Sequence, residues 1–231
     1  MTLILGIETA TKICSVALSD GEKLLALKEE GGDYSHSEKL TCFIEEVMKQ
    51  SGKTLNDVSA IAVSKGPGSY TGLRIGVSTA KGLCYALGIP LISVSTLQAM
   101  AKGMSIQQSS SKSNFLYCPM IDARRMEVYT ALFDEHNQPV EDISAKIIDE
   151  NAFSSLLSST PILFFGDGAE KCQPLLSQNS NAHFSNQGLP SAQYVNQIAL
   201  EKFLNAAFED VAYFEPYYLK DFIATAAKKL L

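Results

Sequence analysis

The sequence predicts an α/β protein built as two consecutive halves, each a mixed sheet with helices packed on it. Three observations carry that prediction. Three short apolar runs with tight connections open the chain, and helical patterns then alternate with short buried-looking strands. The polar stretch 107–114 (QQSSSKSN) lacks hydrophobic periodicity and separates this part from a second, strand-rich half. The expected division is therefore 1–105 and 106–231.

Leu3–Ile7, Ile13–Ser19 and Lys23–Glu29 read as an antiparallel meander, with Asp20-Gly21 as its clearest turn. Gly31-Gly32 breaks it. Ser35 with Glu38 three residues on is a capping-box signature. Leu40, Phe43, Ile44, Val47 and Met48 then give the following helix one apolar face, and Gly52 ends it. A buried strand is expected at Ala60–Ser64, followed by the loop Lys65–Tyr70. Thr71 is placed as the cap of a second helix running to about Leu87, where Gly88 stops it. A strand through Val94 and a third helix from Thr96 to about Lys102 complete the half.

In the second half, strands are expected near Phe115–Ile121, Glu127–Phe133 and Glu141–Ile147. Turns are expected at 122–125 and 137–139. Ile162–Phe165 is a further strand, entering Gly166-Asp167-Gly168 and a short helix. The strongest helical pattern of this half spans about Ser191 to Phe208.

The 231 residues are 46% apolar and 19% charged, which is ordinary globular material with enough length for a core. The net charge is −6, and the nearest things to a basic patch are the pairs Arg124-Arg125 and Lys228-Lys229. Independent nucleic-acid binding normally needs more, so any RNA contact is expected to be indirect or weak, with another chain supplying most of it. Five cysteines, an odd number with no Cys-x-x-Cys pair, read as buried reduced thiols. The start MTLILGIETA lacks a basic leader region, and no apolar run approaches the roughly 20 residues that span a bilayer. A cytoplasmic protein with no membrane contact is the expectation.

Two segments are candidates for chemistry. The turn Gly6–Thr11 sets Glu8 and Thr9 between two strands, where backbone N–H groups and hydroxyls are able to meet a phosphate. The loop Lys65-Gly66-Pro67-Gly68-Ser69-Tyr70-Thr71-Gly72 joins a strand to a helix N-terminus, a place suited to anions. Neither is specific. The Walker A lysine is missing, the third glycine is one residue late for a dinucleotide fingerprint, and tight packing explains the glycines equally well. Glu8, Thr9, Lys65, Gly66, Gly68 and Ser69 are thus held as a possible vestigial nucleotide loop. In the following helix Gly72, Gly76, Ala80 and Cys84 recur every four residues. Such a stripe lets another backbone approach, either this chain's own sheet or a partner's helix. His36, His136 and His183 form no helical metal pair, and no nucleophile elbow is present, so no metal, cofactor or catalytic residue is expected.

The segments ILGIETAT, SVALSD, SHSEKL, SKGPGSYTGLRIG, PMIDARRMEVY and FGDGAEK, with EPYYLKDF near the C-terminus, resemble the TsaB (YeaZ) family over nearly the whole chain. The resemblance implies an actin-like fold of the acetate and sugar kinase superfamily, with two subdomains of related topology. It also implies a scaffold role in making threonylcarbamoyladenosine beside the tRNA anticodon. The implied partners are a TsaD-like catalytic paralogue and a TsaE-like ATPase, with homodimers in isolation. It assigns the contact to helices that fall here at about 37–51 and 72–87. His36, Leu40, Gly72, Leu73, Gly76, Ala80 and Cys84 are the interface residues inferred within them. Members commonly carry Asp where Glu8 stands, and the paralogue's His-x-x-x-His metal site has no counterpart. The alternative, an ATP-dependent phosphotransferase, would recruit Asp122 or Asp167 as a second acid.

Overall fold

The computed structural model describes residues 2–32, 36–108 and 114–220. Ser35, the interior of the linker stretch and the end of EPYYLKDF lie outside them.

The meander forms as expected: β1 (Leu3–Glu8), β2 (Ile13–Asp20) and β3 (Lys23–Gly31) pair antiparallel. Helix α1 (His36–Ser51) follows, then β4 (Ala60–Gly66), α2 (Tyr70–Leu87), β5 (Leu91–Ser95) and α3 (Thr96–Gln107). The second half repeats this order with β6 (Leu116–Asp122), β7 (Glu127–Phe133), β8 (Pro139–Ile147), the short α4 (Ser154–Leu157), β9 (Ile162–Phe165), α5 (Ala169–Leu176), β10 (Ala182–Ser185) and α6 (Ala192–Leu204). The strand orders are β3-β2-β1-β4-β5 and β10-β9-β6-β7-β8, with β1–β4–β5 and β6–β9–β10 parallel. The two sheets therefore share one topology, mixed in each case.

Every strand of the first sheet precedes residue 105 and every strand of the second follows 106, but the helices do not respect that division. Helix α6 packs on β1, β2, β4 and β5, while α3 packs on β6 and β7. Each half thus lends its last helix to the space between the sheets. Asn196 pins α6 by donating from Nδ2 to the carbonyls of Ile4 and Ala17, 3.1 Å each. On the outer face of the first sheet lie α1 and α2.

This layering explains why β1 is buried at every position. Leu3, Leu5 and Ile7 face α1 and α2, whereas Ile4 faces α6. With both faces covered, the strand reads as a continuous apolar run rather than an alternating one.

The local differences from expectation have identifiable causes. Thr71 does not cap α2: Ser69 does, its hydroxyl accepting from the Gly72 N–H at 3.3 Å. Thr71 is exposed in the first turn. Helix α3 runs past Lys102 because Met104 joins Leu97 and Met100 against Tyr117, Ile121 and Phe133 of the second sheet. Its last turn takes in Gln107, so the polar stretch begins inside the helix. Helix α6 stops at Leu204, short of Phe208. Both α4 and β10 were not expected; each is four residues long, too short for a period to show. All five cysteines are free thiols, with four buried and Cys42 exposed.

Candidate functional site

The β1–β2 turn sits beneath the loop that enters α2. Thr9 and Ala10 are fully buried and Thr11 nearly so. The Ala10 carbonyl accepts from the Ser69 N–H at 2.6 Å, and Thr9 Oγ1 donates to the Gly72 carbonyl at 2.8 Å. From the other side His36 Nε2 donates to the Thr11 carbonyl at 2.7 Å. A methyl group placed on Gly68 or Gly72 would fall far inside contact of the Ala10 or Thr9 carbonyl, and one on Gly76 would meet Thr9 Oγ1. The glycines at 68, 72 and 76 are thus spent on close approach of this chain's own backbone. Where a phosphate would need free N–H groups, the space holds carbonyl oxygens.

This decides the small-residue stripe. Gly72, Gly76, Ala80 and Cys84 are buried, and Ala80 and Cys84 join Val77 in the core with Leu3, Leu5 and Ile7. In this chain these residues and Leu73 are buried, and the small side chains let α2 settle closely onto the sheet. Of the other inferred contact residues, His36 is half-buried on the turn and Leu40 is buried at the edge of a groove.

Glu8 is completely buried at the end of β1. Its Oε1 accepts from the Ala10 N–H at 2.6 Å, while among the described residues no well-aligned hydrogen bond reaches Oε2 or the neighbouring Ser64 hydroxyl. Burial pushes the carboxyl up to about 7, against the opposing pull of the Ala10 N–H and the Ser64 hydroxyl. A protonated Oε2 donating to Ser64 would satisfy both orphans. The folded state therefore holds a proton that the unfolded chain, at about 4.5, releases, so stability is lost as pH rises from 4.5 through 7. The expected loss is a few kcal/mol at most. Glu8→Gln mimics the neutral acid; urea unfolding at pH 5 and pH 8 should show the parent losing stability between them and the variant changing much less.

Lys65, Gly66 and Pro67 are covered by the chain's last described segment. Glu209 makes an isolated bridge with Leu91, Lys81 Nζ donates to the carbonyls of Ala212 (3.1 Å) and Phe214 (2.9 Å), and Tyr217 N donates to the Lys65 carbonyl at 2.7 Å. The corresponding turn of the second half carries Asp122, which pairs with Lys171 at 2.5 Å. Partial burial works against ionisation there, but Lys171 and the Arg124 N–H hold this carboxyl below its usual range. Asp167 accepts from the Asp122 N–H at 3.0 Å. Asp122 is thus engaged by the Arg124 N–H and by Lys171 of α5, and Asp167 by the Asp122 N–H. Arg124 (φ 70°) and Arg125 (φ 50°) are left-handed, at a cost of roughly 1–2 kcal/mol each.

The open feature lies on the outer helices. Between α1 and α2 runs a groove of two joined hollows, about 320 and 570 Å³, sharing Thr41 and Thr79. The larger is lined by Ile44, Met48, Leu55 and Leu83, with Glu45 and Lys49 at its edge. Ile75, Thr79 and Leu83, all half-buried, were missed from the sequence, although they too recur every four residues, one register away from the small stripe.

Comparison with known proteins follows this geometry. The family model TsaD, tRNA N6-adenosine threonylcarbamoyltransferase, matches residues 30–231. The tRNA threonylcarbamoyladenosine biosynthesis protein TsaB of Escherichia coli is 32% identical over 230 residues, 96% of each chain. The chain belongs to the TsaB family. A second TsaB, from Haemophilus influenzae, is 30% identical over 94% of this chain and 93% of that one. YeaZ from Pseudomonas aeruginosa superposes with a TM-score of 0.79 at 23% identity, covering 95% of this chain and all of the other. The actin-like fold is thereby established. Among the described residues of this TsaB-family chain, no helix is long and apolar enough to cross a membrane.

Proposed function

We propose that this chain is a non-catalytic cytoplasmic scaffold subunit in threonylcarbamoyladenosine synthesis, and that it binds and orders a TsaD-like catalytic protein through the α1–α2 groove. The observation that carries the reading is that groove: an apolar hollow on the outer side of α1 and α2, the helices that pack on the first sheet. Exposed apolar concavities of this kind mark protein contacts. The match of residues 30–231 to the TsaD model supports a pseudo-symmetric pairing, since related chains are able to offer related faces to one another. The same face would serve a homodimer in isolation, with a TsaE-like ATPase joining the pair.

The packing of the β1–β2 turn supports a scaffold over the phosphotransferase alternative. An actin-like enzyme needs open N–H groups at that turn; here the Ala10 N–H is held by Glu8 Oε1, and the Thr9 and Ala10 carbonyls lie against the loop that enters α2. Mixing the chain with the TsaD-like protein of the same genome should give one stable complex by size-exclusion chromatography. Modification of tRNA should require both. Transfer of threonylcarbamoyl by the isolated chain, or micromolar ATP-Mg binding to it in calorimetry, would overturn the reading.

A further inference from the structure

The sequence places its cations and aromatics far apart, but the fold links several of them through the C-terminal segment. The rings of Tyr70 and Tyr218 lie 4.8 Å apart, tilted by 36°, and the Arg74 guanidinium sits 5.4 Å from the centroid of Tyr70. Tyr218 keeps 37% of its surface exposed. Two residues on, Lys220 pairs with Glu127, whose N–H donates to the Arg124 carbonyl at 3.2 Å. Lys220 therefore ties the segment that carries Tyr218 to the strand that leaves the Arg124–Arg125 turn.

That turn is unusual in what it spends. A turn with two consecutive left-handed residues is most cheaply built from Asn and Gly. This one carries two exposed arginines instead, and no hydrogen bond or ion pair among the described residues engages either guanidinium. The acids nearby are already answered: Asp122 by Lys171, Glu127 by Lys220, with Asp167 turned onto the Asp122 N–H. The Arg124 charge helps hold the Asp122 carboxyl low.

We infer that this face binds single-stranded RNA, with Arg124 and Arg125 taking phosphates and the Tyr70–Tyr218 pair taking an unstacked base. The inference rests on the RNA-modification reading above and goes beyond its scaffold role. Stacking rings beside arginines are the combination that single-stranded nucleic acid requires, since the rings meet base faces and the guanidiniums meet the backbone. An acidic protein segment would use the arginines and leave the rings idle. Because the whole chain carries −6, the contact is weak alone and gains from a second RNA-binding chain.

The test is fluorescence anisotropy with a labelled anticodon stem-loop, titrated with the complex of this chain and the TsaD-like protein over a range of salt. The double variant R124G/R125G should weaken binding about tenfold and lower the salt slope by about 2, one for each phosphate lost. Glycine suits a positive φ, so that variant should melt no lower than the parent. Tyr218→Ala should cost about tenfold, and Tyr218→Phe should restore the affinity, which a merely structural hydroxyl would not allow. Unchanged binding and slope in R124G/R125G would overturn the inference. So would loss of the protein complex itself in that variant, which would assign the face to a protein partner. If the parent chain and the TsaD-like protein fail to associate at all, the scaffold reading falls. The titration is then read on the single chain, where the same losses uphold RNA binding and their absence refutes it.

Discussion

A chain carrying Gly76→Trp is expected not to fold. Gly76 lies in α2 directly over Thr9, and even one methyl group there would collide with Thr9 Oγ1. That hydroxyl has no room to withdraw, because Thr9 is fully buried and donates to the Gly72 carbonyl at 2.8 Å. An indole would have to lift α2 off β1, exposing Val77, Ala80 and Cys84 and the facing Leu5 and Ile7. Overpacking by single methylene groups costs about 1–3 kcal/mol, and a separation on this scale exceeds the marginal stability of a domain. Gly72→Ala is the graded version: its methyl would meet the Thr9 carbonyl, with a loss of about 2–3 kcal/mol expected. Circular dichroism and urea unfolding measure both. A well-folded Gly76→Trp protein that merely lost its partner would return the stripe to an interface.

Leu83→Arg, alone or with Thr41→Arg, should leave the fold intact and abolish the complex with the TsaD-like protein. Leu83 is half-buried on the outer side of α2 and lines the larger hollow opposite Ile44 and Met48; Thr41 is exposed on α1 where the two hollows join. An arginine at either place fills the concavity and forces a desolvated charge on any apolar occupant, which is worth several kcal/mol at the centre of an interface. At least a hundredfold weaker association is expected, by calorimetry or by co-elution at micromolar concentration. The long arginine stem keeps its head in water in the free chain, so the melting temperature should move little. Full binding by the double variant would remove the groove from the interface.

Much of this architecture was legible without coordinates. The meander, α1, α2, β4, β5 and β7 fall within a residue or two of their expected spans, because period and turn chemistry are local properties. The expected span of α3 is too short because Met104 packs on the second sheet, which local period does not record, and that of α6 runs past its end at Leu204. The family was also legible, through residues that lie close together in sequence.

Helices α1 and α2 were legible in the sequence, but which of their faces is buried was not. The sequence named α1 and α2, and the groove lies between them. It selected the small-residue stripe for the contact, although glycine permits close approach without saying to what. Only the tertiary structure showed Thr9 and Ala10 occupying that approach, leaving Ile75, Thr79 and Leu83 half-buried along the groove. It alone paired Lys220 with Glu127, and Tyr218 with Tyr70, across long gaps in the chain. Element types and family follow from neighbours along the chain, which periodicity and local motifs record. Which face of a helix is buried, and which distant side chains share a surface, depends on what packs from elsewhere, and no local pattern encodes that partner.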